Sequence, residues 1–153
     1  MTATVRILVD ADACPVKDEI YKVAWRHAVP VTVVSNSRIR IPEHALIDRV
    51  VVGDGFDAAD DWIAQACTAA TIVITSDILL ADRCLKSGAT VIAANGKPFT
   101  TSSIGAAIAT RAIMADLRAG GAQIGGPAPF SKADRSQFLQ ALDRAVVQLG
   151  RRQ

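Results

Sequence analysis

Val5-Arg6-Ile7-Leu8-Val9-Asp10-Ala11-Asp12-Ala13-Cys14-Pro15 carries a strand, an acidic turn and a helix start within a few residues. Val5 to Val9 is a compact, largely β-branched run that stops at Asp10, the pattern of a strand buried on both faces of a parallel sheet. Pro15 suits the first turn of a helix, where its missing N–H costs nothing, and Val16, Ile20, Val23 and His27 follow at helical spacing.

The pattern recurs along the chain. Apolar runs at Val31 to Val34 and Arg49 to Val52 end at Ser35-Asn36 and Gly53-Asp54. Gly55 permits a turn, Asp57 is an N-cap candidate, and Ala59, Trp62, Ile63 and Ala66 form a helical stripe. Thr71 to Thr75 reads as a fourth strand, Ile78 to Ser87 as a short helix closed by Gly88, and Ala89 to Ala93 as a fifth strand before the Asn95-Gly96 turn. Two more helices are expected, from about Ser102 to Ala119 and from Ser131 to Leu149, the second opened by Ser131 and Asp134. Alternating strands and helices predict an α/β fold: a three-layer αβα sandwich on a mainly parallel five-stranded sheet, in one domain over residues 1–153. Gly120 to Pro129 is either a plain connection between the last two helices or a hinge near the strand ends, and a plain connection is the simpler reading.

With 153 residues, 50% hydrophobic content and mean hydropathy +0.27, the chain can bury a substantial core. A net charge of +2 with scattered basic residues argues against an extended nucleic-acid face, although local patches remain open. Arg38 and Arg40 alternate with Ile39 and Ile41 in a segment that fits an edge strand or a phosphate-contacting loop. Cys14, Cys67 and Cys84 are odd in number and widely spaced, which indicates neither a disulfide framework nor a thiolate zinc site. His27 and His44 are too few for a histidine-rich metal site. Arg6 and Asp10 interrupt the first apolar stretch, and no run approaches membrane-spanning length, so a soluble cytoplasmic protein is expected, with no prediction of oligomeric state.

The aspartates carry the functional signal. Eight of thirteen follow strand-like runs: Asp10 and Asp12, then Asp54, Asp57, Asp60 and Asp61, then Asp77 and Asp82. In an open parallel sheet the carboxyl ends of the strands share one edge, so these acids are expected to meet there. Clustered carboxylates repel unless a cation or protons join them, and a hard divalent metal used in phosphoryl chemistry satisfies that need. Asp10 and Asp12 lie two apart, on one side of an extended backbone; their structural alternative is turn formation and helix capping. Asp57 is assigned to capping and Asp60 or Asp61 to the site, since acids in a first turn are also stabilised by the helix dipole alone. Asp77 and Asp82 complete the set; Thr75, Ser76 and Lys17 are weaker candidates for contacting a phosphate. Cys14 beside the acids is a poor candidate for a reactive thiol.

Four motifs resemble the YaiI/YqxD family of uncharacterised bacterial proteins: Asp10-Ala-Asp-Ala-Cys-Pro-Val-Lys17, Gly55-Phe-Asp-Ala-Ala-Asp-Asp-Trp-Ile63, Thr75-Ser-Asp-Ile-Leu-Leu-Ala81 and Gly125-Gly-Pro-Ala-Pro-Phe-Ser131. The resemblance spans nearly the whole chain in the same order, and that family looks like a relative of PIN-domain nucleases. It implies Mg²⁺ or Mn²⁺ for hydrolysis of RNA, with Asp10 matching the acid after the first strand, Asp77 the one after the fourth, and Asp60 or Asp61 and Asp82 as further counterparts. With Asp12 added from its spacing to Asp10, the expected catalytic residues are Asp10, Asp12 and Asp77, and the expected metal ligands are drawn from Asp10, Asp12, Asp60, Asp61, Asp77 and Asp82. Leu79 replaces a proline associated with that place in the motif, which alters the helix entry and removes no ligand.

Two other readings stay open. A strand followed by Asp10-x-Asp12 also begins haloacid-dehalogenase-like phosphatases, with the first aspartate as nucleophile, but here the dense acidic segment precedes the Thr75-Ser76 strand end instead of following it. Alternatively the acids cap helices in a non-catalytic metal-binding, RNA-binding or interaction module.

Overall fold

Ile7, Leu8 and Val9 are fully buried because β1 (Arg6–Asp10) lies between two parallel neighbours, β2 (Val31–Ser35) and β4 (Thr71–Ile74). A computed structural model describes residues 4–12, 14–53, 55, 57–121 and 130–151. Outward from this centre come β3 (Ile47–Val51) on one side, and β5 (Thr90–Ile92) and β6 (Pro98–Phe99) on the other. The order is β3-β2-β1-β4-β5-β6, parallel throughout except for β6.

Side-chain alternation along the strands divides the core in two. Ile7, Val9, Val31, Val33, Ile72 and Ile74 face one layer, formed by α1 (Lys17–His27) and α5 (Lys132–Arg151). Leu8, Val34, Val73 and Val91 face the other, where α2 (Ala58–Ala66), α3 (Ile78–Lys86) and the start of α4 (Ile104–Ala119) pack. The result is a three-layer αβα sandwich. Strands β1 and β4 run side by side, yet the chain leaves them toward opposite edges, the first through α1 to β2 and the second through α3 to β5. That divergence is the switch point, where open α/β sheets leave a crevice beyond the strand ends.

Local chemistry explains most boundaries. Gly88 takes φ +84° after α3, and the N–H groups of Gly88 and Ala89 donate to Leu85 and Cys84 carbonyls, the left-handed closure expected from the sequence. At the start of α5 the backbone N–H of Asp134 donates to Ser131 Oγ at 3.1 Å, and Asp134 Oδ2 accepts from the Ser131 N–H at 3.0 Å.

Other features depart from expectation. A sixth strand pairs antiparallel with β5; its two residues, one of them proline, carry no periodicity to read. Helix α1 begins at Lys17, leaving Pro15 and Val16 in the turn before it. Asp57 occupies the N-cap position of α2, but its side chain makes no capping hydrogen bond. Ile39 and Ile41 form no strand; they rest half-buried on the α1 side of the core, and Arg49 Nη1 donates to the Ile39 carbonyl at 3.0 Å. Asp54 and residues 122–129, most of the expected hinge or connection, lie outside the described residues.

Gly96 turns the chain after β5 at φ +90°, and a Cβ there would lie 2.7 Å from the Gln137 carbonyl carbon and oxygen of α5. Neither backbone can yield without moving the helix. Gly96→Ala is therefore expected to lower stability by at least about 2 kcal/mol, read as a fall in the urea midpoint with unchanged slope; a midpoint equal to that of the parent would show that α5 does not pack this closely.

Candidate functional site

The carboxyl ends of β1 and β4 deliver their acids to one hollow. It has a volume of about 180 Å³ and is lined by Asp10, Asp12, Thr75, Ser76 and Asp77, with Cys14, Pro15, Ile74 and Ala94. Asp10 is the last residue of β1 and Thr75 follows β4 directly, so the parallel pairing of Val9 with Ile74 brings the two strand ends level. Thr75, only 3% exposed, donates from Oγ1 to Asp10 Oδ2 at 2.8 Å and accepts from the backbone N–H of Asp77 at 3.0 Å. One hydroxyl thus fixes the first acid and the turn that carries the second.

Asp77 is also the N-cap of α3, its Oδ1 accepting from the N–H groups of Leu79 at 2.9 Å and Leu80 at 3.2 Å. Leu79, the departure from the family motif, supplies one of those N–H groups, which a proline would lack. Asp12 is exposed at the mouth of the hollow.

A second hollow, of about 400 Å³, adjoins the first through Asp77 and is lined by Asp57, Asp60, Leu79, Leu80, Arg83 and Arg111. The two share one electrostatic field. Burial pushes the Asp10 carboxyl above its usual range; the Thr75 hydrogen bond opposes that, and the charges of Asp12 and Asp77 add to it. Asp60 is pushed up to about 6, by burial first and then by Asp77, Asp10 and Asp57, with Arg83 acting in the opposite direction. Acids from β1, α2 and the α3 cap therefore repel one another across both hollows.

The remaining sequence candidates point elsewhere. Asp61, one residue from Asp60 and so turned by about 100°, pairs with Arg83 at 2.8 Å on the surface. Asp82 pairs with Lys86 at 3.1 Å, one helical turn on. Lys17 lines a neighbouring hollow that shares Cys14 and Pro15 with the first. Burial pushes the Cys14 thiol above its usual range, which disfavours the thiolate. Arg111 escaped sequence reasoning: α4 has no acidic or glycine motif to mark it, and only the packing of α4 on α3 brings it to the second hollow.

Among the described residues no group of three or more His, Cys, Asp or Glu side chains is placed to hold a metal ion. The donors nonetheless suit one kind of ion. Mg²⁺ takes one or two carboxylates and keeps several waters, so it requires no all-protein cage, and only one oxygen each of Asp10 and Asp77 is engaged in the hydrogen bonds above.

Fold and site together define a doubly wound, mainly parallel α/β protein with an acidic hollow at its switch point. The model of the uncharacterised bacterial YaiI/YqxD family matches residues 8–148, and the chain belongs to that family. A UPF0178 protein of Sphingopyxis alaskensis is 73% identical over 146 residues, covering 95% of each chain. UPF0178 proteins of Rhodopseudomonas palustris and Nitrobacter winogradskyi are 60% and 59% identical, covering 98% and 99% of this chain and 95% and 96% of theirs. No solved structure matches the chain. No helix among the described residues is long and apolar enough to cross a membrane.

The raised Asp60 fixes a pH signature. Because folding raises its pKa, the ionised carboxylate costs native stability; that cost is absent below the unfolded value of 3.8, grows as pH rises toward about 6, and is constant above. Asp60→Asn is expected to melt higher than the parent at pH 8, with the gap closing by pH 4. Equal melting temperatures at both pH values would show that Asp60 is not in the acidic field.

Proposed function

We propose that this chain is a Mg²⁺- or Mn²⁺-dependent nuclease that hydrolyses RNA phosphodiesters, as the likeness of its family to PIN-domain nucleases implies. The observation that carries the reading is the meeting of Asp10, Asp12 and Asp77 around one hollow at the switch point, with no cation among the described residues that line it. Asp60 adds a fourth negative charge from the adjoining hollow. Such mutual repulsion is relieved by a hard cation, and it is a stability cost that a purely helix-capping role for these acids leaves unexplained.

In this reading Asp10 and Asp77 hold the ion through their free oxygens, and Asp12 at the rim and Asp60 in the adjoining hollow strengthen the field that attracts it. A bound ion would lower the pKa of a water and offset charge on the phosphate and the leaving oxygen. Thr75 is a positioning residue: its hydroxyl keeps Asp10 in one rotamer and ties it to the Asp77 turn. Buried Ile74 and half-buried Ala94 supply an apolar wall that strengthens electrostatic interactions in the hollow. With Cys14, Cys67 and Cys84 all free, the reading places this work in the reducing cytoplasm.

Asp10→Asn and Asp77→Asn preserve shape, and asparagine retains an oxygen able to cap α3. Each is expected to lower Mn²⁺-dependent cleavage of single-stranded RNA at least 100-fold while melting within a few degrees of the parent. Full cleavage by both variants would overturn the site, and phosphate release from small monoesters without RNA shortening would favour a phosphatase. Independently of turnover, millimolar Mg²⁺ is expected to raise the melting temperature of the parent more at pH 8 than at pH 5, and to have little effect on the double variant. An equal rise in parent and double variant would place the ion elsewhere.

A further inference from the structure

A third hollow, of about 270 Å³, adjoins the carboxylate pocket, with which it shares Cys14 and Pro15. Lys17, Asp18, Tyr21 and Arg40 complete its lining. Among the described residues neither Lys17 nor Arg40 forms an ion pair, so two cations face one exposed carboxylate, that of Asp18. Tyr21 is only 6% exposed, and its hydroxyl is buried without a hydrogen-bond partner. A buried donor left unpaired costs stability, and its place in the wall of a cationic hollow marks where an acceptor belongs. Burial first, then the neighbouring Cys14 and Asp18, pushes the phenol up, so it remains a protonated donor at neutral pH.

The same helix face continues into an aromatic row. Tyr21 lies 6.2 Å, centroid to centroid, from Trp25, and Trp25 lies 5.7 Å from His44. Trp25 is 45% exposed, which leaves ring surface on which a base can stack. Inorganic phosphate would use only the cations and the phenol; a nucleotide uses the tryptophan as well.

We infer that the hollow formed by Lys17, Tyr21 and Arg40 is a phosphate subsite for single-stranded nucleic acid, holding the nucleotide next to the one at the carboxylate pocket, with Trp25 as its stacking surface. This rests on the nucleic-acid reading of that pocket and adds a direction: the strand leaves the acids on the α1 side. Phosphate oxygens accept from Lys17 Nζ, the Arg40 guanidinium and the Tyr21 hydroxyl. Arg40 comes from the loop after β2 and Lys17 from the start of α1, so the subsite joins segments that the strand order places next to the acids.

The test is binding of a fluorescent, uncleavable 2′-O-methyl decauridylate in EDTA, read by polarisation over a range of salt. Arg40→Gln is expected to weaken binding five- to tenfold and to reduce the log–log salt slope by about 0.7, the value of one phosphate contact on a single strand. Tyr21→Phe removes only the hydroxyl: binding should weaken two- to fivefold with the slope unchanged, while the melting temperature stays at or above that of the parent. Trp25→Leu should weaken binding without altering the slope. Unchanged affinity in Arg40→Gln and Tyr21→Phe overturns the subsite, as does a loss confined to Trp25→Leu. Displacement of the strand by polyglutamate as readily as by polyuridylate overturns nucleic acid as the ligand. Because the strand is uncleavable and the metal is chelated, absence of hydrolysis leaves this result intact, and active cleavage with unaltered binding in the variants defeats it alone.

Discussion

The hydrogen bond from Thr75 to Asp10 joins the two halves of the sheet where they part company. β1 and β4 are adjacent strands, but the chain proceeds from them in opposite directions, and nothing after their last paired residues continues the ladder between them. A buried hydroxyl spanning that gap holds an acid from one half against a turn from the other. Because the same oxygen accepts from the Asp77 backbone, the positions of Asp10 and Asp77 are set by a single side chain. The character of the crevice follows from this arrangement.

Holding several carboxylates at close quarters is unfavourable by itself. The protein distributes that cost: Asp77 is stabilised by the N–H groups that open α3, Asp10 by Thr75, and Asp60 in part by Arg83, which also pairs with Asp61. Asp12 stays at the exposed rim. The acids therefore survive in a stable fold while retaining oxygens for a ligand, and the flanking hollows each bring arginine to the border of the acidic field. In the proposed reading, an acidic centre bordered by cations matches a substrate with several phosphates.

The strand and helix pattern was legible because burial on both faces leaves uninterrupted β-branched runs, and because Gly88, Ser131 and Asp134 are terminator and cap residues acting locally. β6 was not legible, since two residues paired at a sheet edge leave no period. Asp57 illustrates the limit of capping rules: the residue sits where a cap belongs, but its side chain makes no capping bond and borders the second hollow. Choosing between Asp60 and Asp61 was equally beyond local reasoning, because adjacent helical positions are separated only by which side of α2 meets the α3 cap.

By itself the sequence determined the layered α/β class, the family and the placement of aspartates just after strand-like runs, since these follow from short-range patterns of apolar runs, turns and motifs. Tertiary structure alone decided which acids share a pocket, that the Thr75 hydroxyl serves Asp10, and that Tyr21, Arg40 and Arg111 border the site. Those facts depend on strand order and helix packing, which bring together residues tens of positions apart, and no local pattern records that distance.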